Sequence, residues 1–233
     1  MKREEYLKNT LQIYALVSQL SRKNGYEVLR LRNKQSGKDL VLRSFPTPLV
    51  AYDILQNIRF DNLPEIYDVL DLEDGQIVLE EYIDGITVAQ VMEIEKYRAS
   101  TARKILLAVC DALTVLHDRN IVHRDVKPEN VMIEKSGRVV LIDFNASRIE
   151  STANRDTVIL GTVGYASPEQ LGLSQTDART DIYAAGVLYN VMLTGQHPSV
   201  AIASGKAGRI VRKCTAVNPG ERYQTASELW DAL

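Results

Sequence analysis

Along the first third of the chain, apolar and polar residues alternate with the two-residue period of half-buried strands. YEVLRLRN and KDLVLRSF flank NKQSGKD, a turn-rich break, and this pattern predicts an antiparallel pair. The strand-like pattern runs from Gln12 to Phe45. PTPLVAYDILQNI then opens on a proline and spaces its apolar residues as a short helix does. PEIYDVLDL and GQIVLEEYI, joined through EDG, read as two further strands. Residues 1–83 are therefore expected to form a small antiparallel sheet with one helix.

After IDG at 83–85 the period changes. ASTARKILLAVCDALTVLHDRN is a long amphipathic helix, with Ser100 or Thr101 as its cap. Short strands follow around VMIE and VVLID. TDIYAAGVLYNVMLTG, a segment near AGRIVRKCT, and SELWDAL complete a mostly helical part over 84–233. The fold class is α+β, in two parts. The longest irregular stretch lies between Asp143 and Pro168, and loops that long in compact domains more often carry function than not.

Composition narrows the classes. With 233 residues, 45% of them hydrophobic, the chain can bury one substantial core or two smaller ones, which excludes a disordered tail. The formal charge of −2 comes from mixed signs spread along the length, so neither nucleic acid nor an anionic membrane is an expected partner. Cys110 and Cys214 stand far apart, with no metal-ligand or CxxC spacing; they read as small core residues of a protein in a reducing compartment. MKREEYLKNT has no apolar leader, and no run nears the length of a membrane span. A cytoplasmic location is expected.

The candidate chemistry lies in HRDVKPEN at 123–130, IDF at 142–144, GTVGYASPE at 161–169 and TDIYAAG at 180–186. In this order they resemble the protein kinase family, in its eukaryotic-like, bacterial-type serine/threonine branch, over Tyr14 to Leu233. The resemblance implies two lobes: a small antiparallel-sheet lobe with one helix, a mostly helical lobe, and a hinge near Glu81 to Gly85. It also implies ATP and Mg2+ (or Mn2+), and a protein as substrate or regulatory partner. Phosphoryl transfer asks for positioning and charge neutralisation, so acidic groups hold metal while one carboxylate orients the attacking hydroxyl. Asp125 matches that base. Lys127 matches the cation beside the transferred group, and Asn130 and Asp143 match the metal ligands. Val28 and Val41 would roof the adenine, Met132 would floor it, and Glu81 and Ile83 would meet it at the hinge, with Arg43 toward the phosphates. Glu169 should pair with Arg222, and Asp181 should brace the backbone of the catalytic loop. His123 and Phe144 read as packing residues. His117 and His197 carry no motif and read as surface or boundary histidines. Arg124 would receive a phosphate from the segment 145–167, with Thr157, Ser151 and Thr152 as acceptors, while Thr162 would contact Asp125 and Lys127.

The first lobe departs from the family pattern. G-x-G-x-x-G-x-V falls on SRKNGYEV, so Ser21, Lys23 and Tyr26 stand at the glycine positions, and Gly25 is one place off. Glycine there lets backbone N–H groups approach phosphates closely, which side chains obstruct. The V-A-I-K lysine is Arg43 in LVLR, its alanine is Val41, and Ala51 stands where the clamping glutamate belongs, with Asp53 turned to another side of that helix. Asn145 replaces the glycine after IDF, a mild change because asparagine tolerates positive φ. The segment after LTG is short enough that a docking helix of larger members should be shortened or absent.

These residues leave readings open. An active but atypical kinase keeps Asp125, Lys127, Asn130 and Asp143, with Arg43 held by Asp143 in place of the missing glutamate. Arg22 and Lys23 would lend charge to the altered loop, although exposed turn residues of this kind are ordinarily just solvated. A pseudokinase would use the fold as an interaction or signalling module, since losses at the phosphate loop remove transition-state contacts. A small-molecule kinase of related fold is disfavoured by SPE, its partner Arg222, and Lys127. The intact lower constellation favours the active enzyme.

Overall fold

The computed structural model describes residues 1–23, 25–150, 164–171 and 175–233. The chain divides into two compact units, one of Met1–Phe60 with Pro64–Ile83 and one of Asp61–Leu63 with Asp84–Leu233.

In the first unit, α1 (Arg3–Ile13) leads into β1 (Tyr14–Lys23), β2 (Tyr26–Asn33) and β3 (Asp39–Phe45); α2 (Val50–Leu55), β4 (Ile66–Leu72) and β5 (Gly75–Glu81) follow. The strands form one antiparallel sheet in the order β1-β2-β3-β5-β4. β3 lies between β2 and β5 and is buried along nearly its whole length, so both of its faces matter. Leu40 and Leu42 join Leu29, Leu31 and Ile77 in a core on one face, against which Tyr6 and Leu7 of α1 pack. By the two-residue period, Val41, Arg43 and Phe45 look to the other face, as do Gln76, Val78 and Glu80 of β5. Tyr52 of α2 stacks on Phe45 there at 5.4 Å between ring centroids, and Ala51 and Leu55 are buried with it.

α1 is an element that the alternation does not predict, and it makes two helices in this unit rather than one. Gln12 and Ile13, expected in a strand, close the helix. Its sequence is polar and only weakly amphipathic, so packing decides: Tyr6 and Leu7 cover the sheet, the Met1 ammonium meets Glu73 at 2.6 Å, and the Arg3 amide donates to Asp74 at 2.7 Å.

In the second unit, β6 (Gly85–Thr87) precedes α3 (Val88–Met92) and the long α4 (Ala99–His117). β7 (Ile121–Val122), β8 (Val131–Glu134), β9 (Val139–Leu141) and β10 (Arg148–Ile149) come next, then α5 (Ala178–Thr194), α6 (Gly205–Cys214) and α7 (Ala226–Ala232). β6, β8 and β9 form one small sheet, and β7 pairs with β10. α4 buries Ala102, Ile105, Leu106, Val109, Cys110, Leu113 and Leu116, the stripe its period predicts. Its start differs from expectation: the helix begins at Ala99 after Arg98, so Ser100 and Thr101 lie in the first turn rather than capping it. α5 is capped by Asp177, which accepts from the Arg179 amide, and stops at Gly195 with φ 73°. Between α5 and α6 there is no helix; Asn190 holds that stretch through the carbonyls of Gln196 and Ala201 and the amide of Ala203. α5 and α6 meet at Gly186, where a Cβ would stand 2.3 Å from the Cβ of Cys214. Both cysteines are buried, and burial raises both thiols, Cys214 to about 12. Among the described residues no helix is long and apolar enough to cross a membrane.

A buried fork locks the second unit. Arg222 donates to both oxygens of Glu169, at 2.6 and 2.9 Å, and to the carbonyls of Ala216, Arg179 and Val217. Burial pushes the Glu169 carboxyl up, but its hydrogen bonds with Arg222, the backbone and Ser167 outweigh burial and leave it below the usual value. Removing one partner strands the other, so Arg222→Ala should cost about 3–5 kcal/mol in urea unfolding. With the folded value depressed, the stability Glu169 adds is present above its unfolded pKa of about 4.3 and is lost as pH falls through the lower folded value. The stability gap between wild type and Glu169→Gln should therefore be open at neutral pH and close below about pH 4.

Candidate active site

Asp181, in the first turn of α5, is fully buried and organises the loop that begins at His123. Its carboxylate accepts from the backbone amides of His123 at 2.8 Å and Arg124 at 2.7 Å. His117, the last residue of α4, adds a third contact through Nε2 at 2.8 Å. The brace acts where the backbone is strained: Arg124 has φ 67°, and its carbonyl is held on the other side by the buried Gln170 side chain at 2.8 Å. His117, half-buried at the boundary as its sequence context predicts, is in addition part of the support of this loop.

His123 links this loop to the next. The Asp125 amide donates to its Nδ1 at 3.3 Å, so its Nε2 carries the proton and donates to the Ile142 carbonyl at 3.2 Å. Its ring meets Phe144 edge-on at 5.4 Å. The Ile142 amide donates to the Asn130 carbonyl at 2.9 Å, which joins the stretch before Asp143 to the turn that carries Asn130. Asp143 itself has φ 70°. The structure brings Asp125, Lys127 and Asn130 into direct contact: Oδ2 of Asp125 accepts from Lys127 Nζ at 2.6 Å and from Asn130 Nδ2 at 2.9 Å. Asn130 Nδ2 also donates to the Asp125 carbonyl at 2.9 Å. With the amide nitrogen turned to Asp125, the Asn130 oxygen is the atom presented elsewhere. Among the described residues no group of three or more His, Cys, Asp or Glu could hold a metal. An Asn130 oxygen and an Asp143 carboxylate fit a hard cation such as magnesium, which takes few protein ligands and completes its shell with water and phosphate oxygens.

In the first unit, Val28 stands opposite Arg43 in register, and Val41 stands between Arg30 and Glu80. Ile83 is buried; Glu81 donates its amide to the Glu65 carbonyl at 2.8 Å and accepts the Glu65 amide at 3.1 Å. Met132 belongs to the second unit, half-buried in β8 opposite Val140 and Thr87. Ser21 and Lys23 are strand residues paired with Val28 and Tyr26. Arg43 does not lack a carboxylate for want of one at Ala51: its Nε donates to Glu80 Oε1 at 2.6 Å, with the side chains 7% and 3% exposed. The signal for Glu80 was present in the sequence, since a charged residue in the apolar run QIVLEEY needs a buried partner, and the antiparallel register names it. Ser151, Thr152, Thr157 and Thr162 lie outside the described residues.

Residues 46–231 match the family model of the protein kinase domain. The match starts just after β3, so the strands bearing the altered phosphate loop and Arg43 precede it. The chain is 32% identical over 209 residues to the serine/threonine-protein kinase PknB of Mycolicibacterium smegmatis, covering 75% of this chain and 33% of the relative. Identity and coverage are the same for PknB of Mycobacterium tuberculosis. A probable PknB of Lactococcus lactis is 32% identical over 181 residues, covering 74% of this chain and 28% of the relative. The chain spans about a third or less of the length of these curated relatives.

Because the brace satisfies two backbone amides in a dry interior, Asp181→Ala should destabilise the protein by at least about 3 kcal/mol. Hydrogen exchange should report the same loss locally, with the His123 and Arg124 amides losing their protection. Amides that stay protected in this variant would contradict the role given to Asp181.

Proposed function

The chain belongs to the protein kinase family, of the bacterial serine/threonine type, and we propose that it transfers the γ-phosphoryl group of ATP to serine or threonine hydroxyls of a protein. The observation that carries this reading is the Asp125 carboxylate, held through Oδ2 by Lys127 and Asn130 on a backbone fixed by Asp181. Asp125 orients the substrate hydroxyl and takes its proton as the oxygen bonds to the γ-phosphorus. The bond from that phosphorus to the bridging oxygen breaks, and ADP leaves with the electron pair. Lys127 offsets charge on the transferred group, while Asn130 and Asp143 would hold magnesium or manganese. The metal, when bound, supplies positive charge along the phosphate chain. Val28, Val41, Glu81, Ile83 and Met132 are assigned to adenine, Arg43 to the phosphates, and Arg124 to a phosphorylated Thr157, with Thr162 on the substrate side.

Transfer should be slow, because side chains at Ser21, Lys23 and Tyr26 replace the glycines that let backbone amides cradle phosphate. That same replacement supports the second reading, a pseudokinase that works as an interaction or signalling module. The two separate on one comparison. Asp125→Asn should lower phosphate transfer to a generic basic substrate or to the chain itself by at least about a hundredfold, while nucleotide affinity stays near wild type. Asp143→Asn should lose both, since it removes a metal ligand. Equal, background-level transfer by wild type and Asp125→Asn would decide for the pseudokinase.

A further inference from the structure

At one end of the first unit's sheet a single side chain ties three parts of the chain together. Arg3, the first residue of α1, donates through Nη1 to the Gly25 carbonyl and to the Ser44 hydroxyl, both at 3.3 Å. Its backbone amide donates to Asp74 at 2.7 Å, and its Nε stands 3.6 Å from the same carboxylate. The turn before β2, the end of β3 and the turn before β5 therefore meet on one guanidinium, whose side chain is only 20% exposed. Gly75 leaves room for it: a Cβ there would lie 1.9 Å from the Phe45 carbonyl oxygen and 3.0 Å from Cδ and Nε of Arg3.

Gly25 lies in the turn between β1 and β2, the segment on which the family's phosphate loop falls, and glycine supplies its φ of 81°. A flexible loop gives up conformational freedom when it closes on a ligand, which weakens binding; this turn is held beforehand. Tyr26, at a glycine position of the pattern, sets its ring edge-on against Phe45 at 5.9 Å, which fixes the start of β2. Gly25 itself is left to Arg3. We propose that Arg3 is a positioning residue for the β1–β2 turn: through it, α1 fixes the segment that stands in place of the glycine loop and keeps the nucleotide affinity that a loose turn would lose. The inference rests on the nucleotide role proposed for this chain. It also accounts for α1 being anchored at its start, by the Met1 ammonium on Glu73 and by Arg3 on Asp74, although its sequence carries little helical signal.

The test is limited tryptic digestion of the whole folded chain, together with calorimetric titration with magnesium ATP. Arg22 and Lys23 are exposed cleavage sites beside the turn, while Lys34 and Lys38, exposed between β2 and β3, report on the rest of the unit. Arg3→Ala should speed cleavage after Arg22 and Lys23 about tenfold and leave cleavage after Lys34 and Lys38 within about twofold of wild type. ATP should bind this variant about fivefold more weakly. Glu73→Ala, which cuts the other anchor of α1, should leave both readouts near wild type. A merely structural Arg3 would raise cleavage at both turns alike or leave ATP affinity unchanged, and either result would overturn the inference while the kinase reading stands. Glu73→Ala matching Arg3→Ala in both readouts would overturn it as well, since any loosening of α1 would then suffice. Should Arg3→Ala fail to fold, Arg3→Lys is read by the same two measures, because a single nitrogen cannot serve Gly25, Ser44 and Asp74 together. Wild type that takes up no ATP would overturn the nucleotide reading and this inference with it.

Discussion

One buried carboxylate sets the geometry on which the second unit's chemistry depends. Asp181 accepts the amides of His123 and Arg124 and meets His117, so the end of α4 and the loop just after it are tied to one group far along the chain. A charge taken out of water is tolerable only when its hydrogen bonds are complete, and those same bonds hold Arg124 in a left-handed conformation that it would otherwise leave. From that point order spreads outward. His123 passes it to Ile142 and Phe144, and the turn at 128–130 brings Asn130 and Lys127 onto Asp125.

The first unit solves its own problem differently. Its central strand β3 is buried on both faces, so one face carries the Leu29, Leu31, Leu40, Leu42 and Ile77 core while the other must accommodate a cation. A lone guanidinium there would be prohibitive; Glu80 across the sheet makes it affordable. Apart from Asn145 and the short segment after α5, the changes that set this chain apart from the family pattern, at the phosphate loop, Arg43 and Ala51, fall in or beside this sheet. The residues assigned to acid–base work and metal binding are unchanged in type.

Long, strongly periodic elements were legible from sequence. α4 follows its apolar stripe, α5 its long and nearly uninterrupted apolar run, and β2 and β3 follow their alternation around NKQSGKD. The partnership of Glu169 with Arg222 and the brace at Asp181 follow from the family resemblance. What escaped was decided by tertiary contact. α1 carries little amphipathic signal and is held by Tyr6, Leu7 and salt bridges at its start. The start of α4 depends on how Arg98 enters it, not on the nearest hydroxyl. His117 is one helix end among many until α5 brings Asp181 to it, and Glu80 shows its partner only once the strand register is fixed.

The central claim is that the metal-binding and acid–base groups survive in working order while the phosphate loop does not. It is tested most directly by titrating the unmodified chain with ATP in the presence and absence of magnesium, following the heat of binding. The account predicts weak binding with magnesium and none measurable without it, because the metal ligands Asn130 and Asp143 rather than the loop dominate the affinity. Binding of equal strength with and without the metal would contradict it.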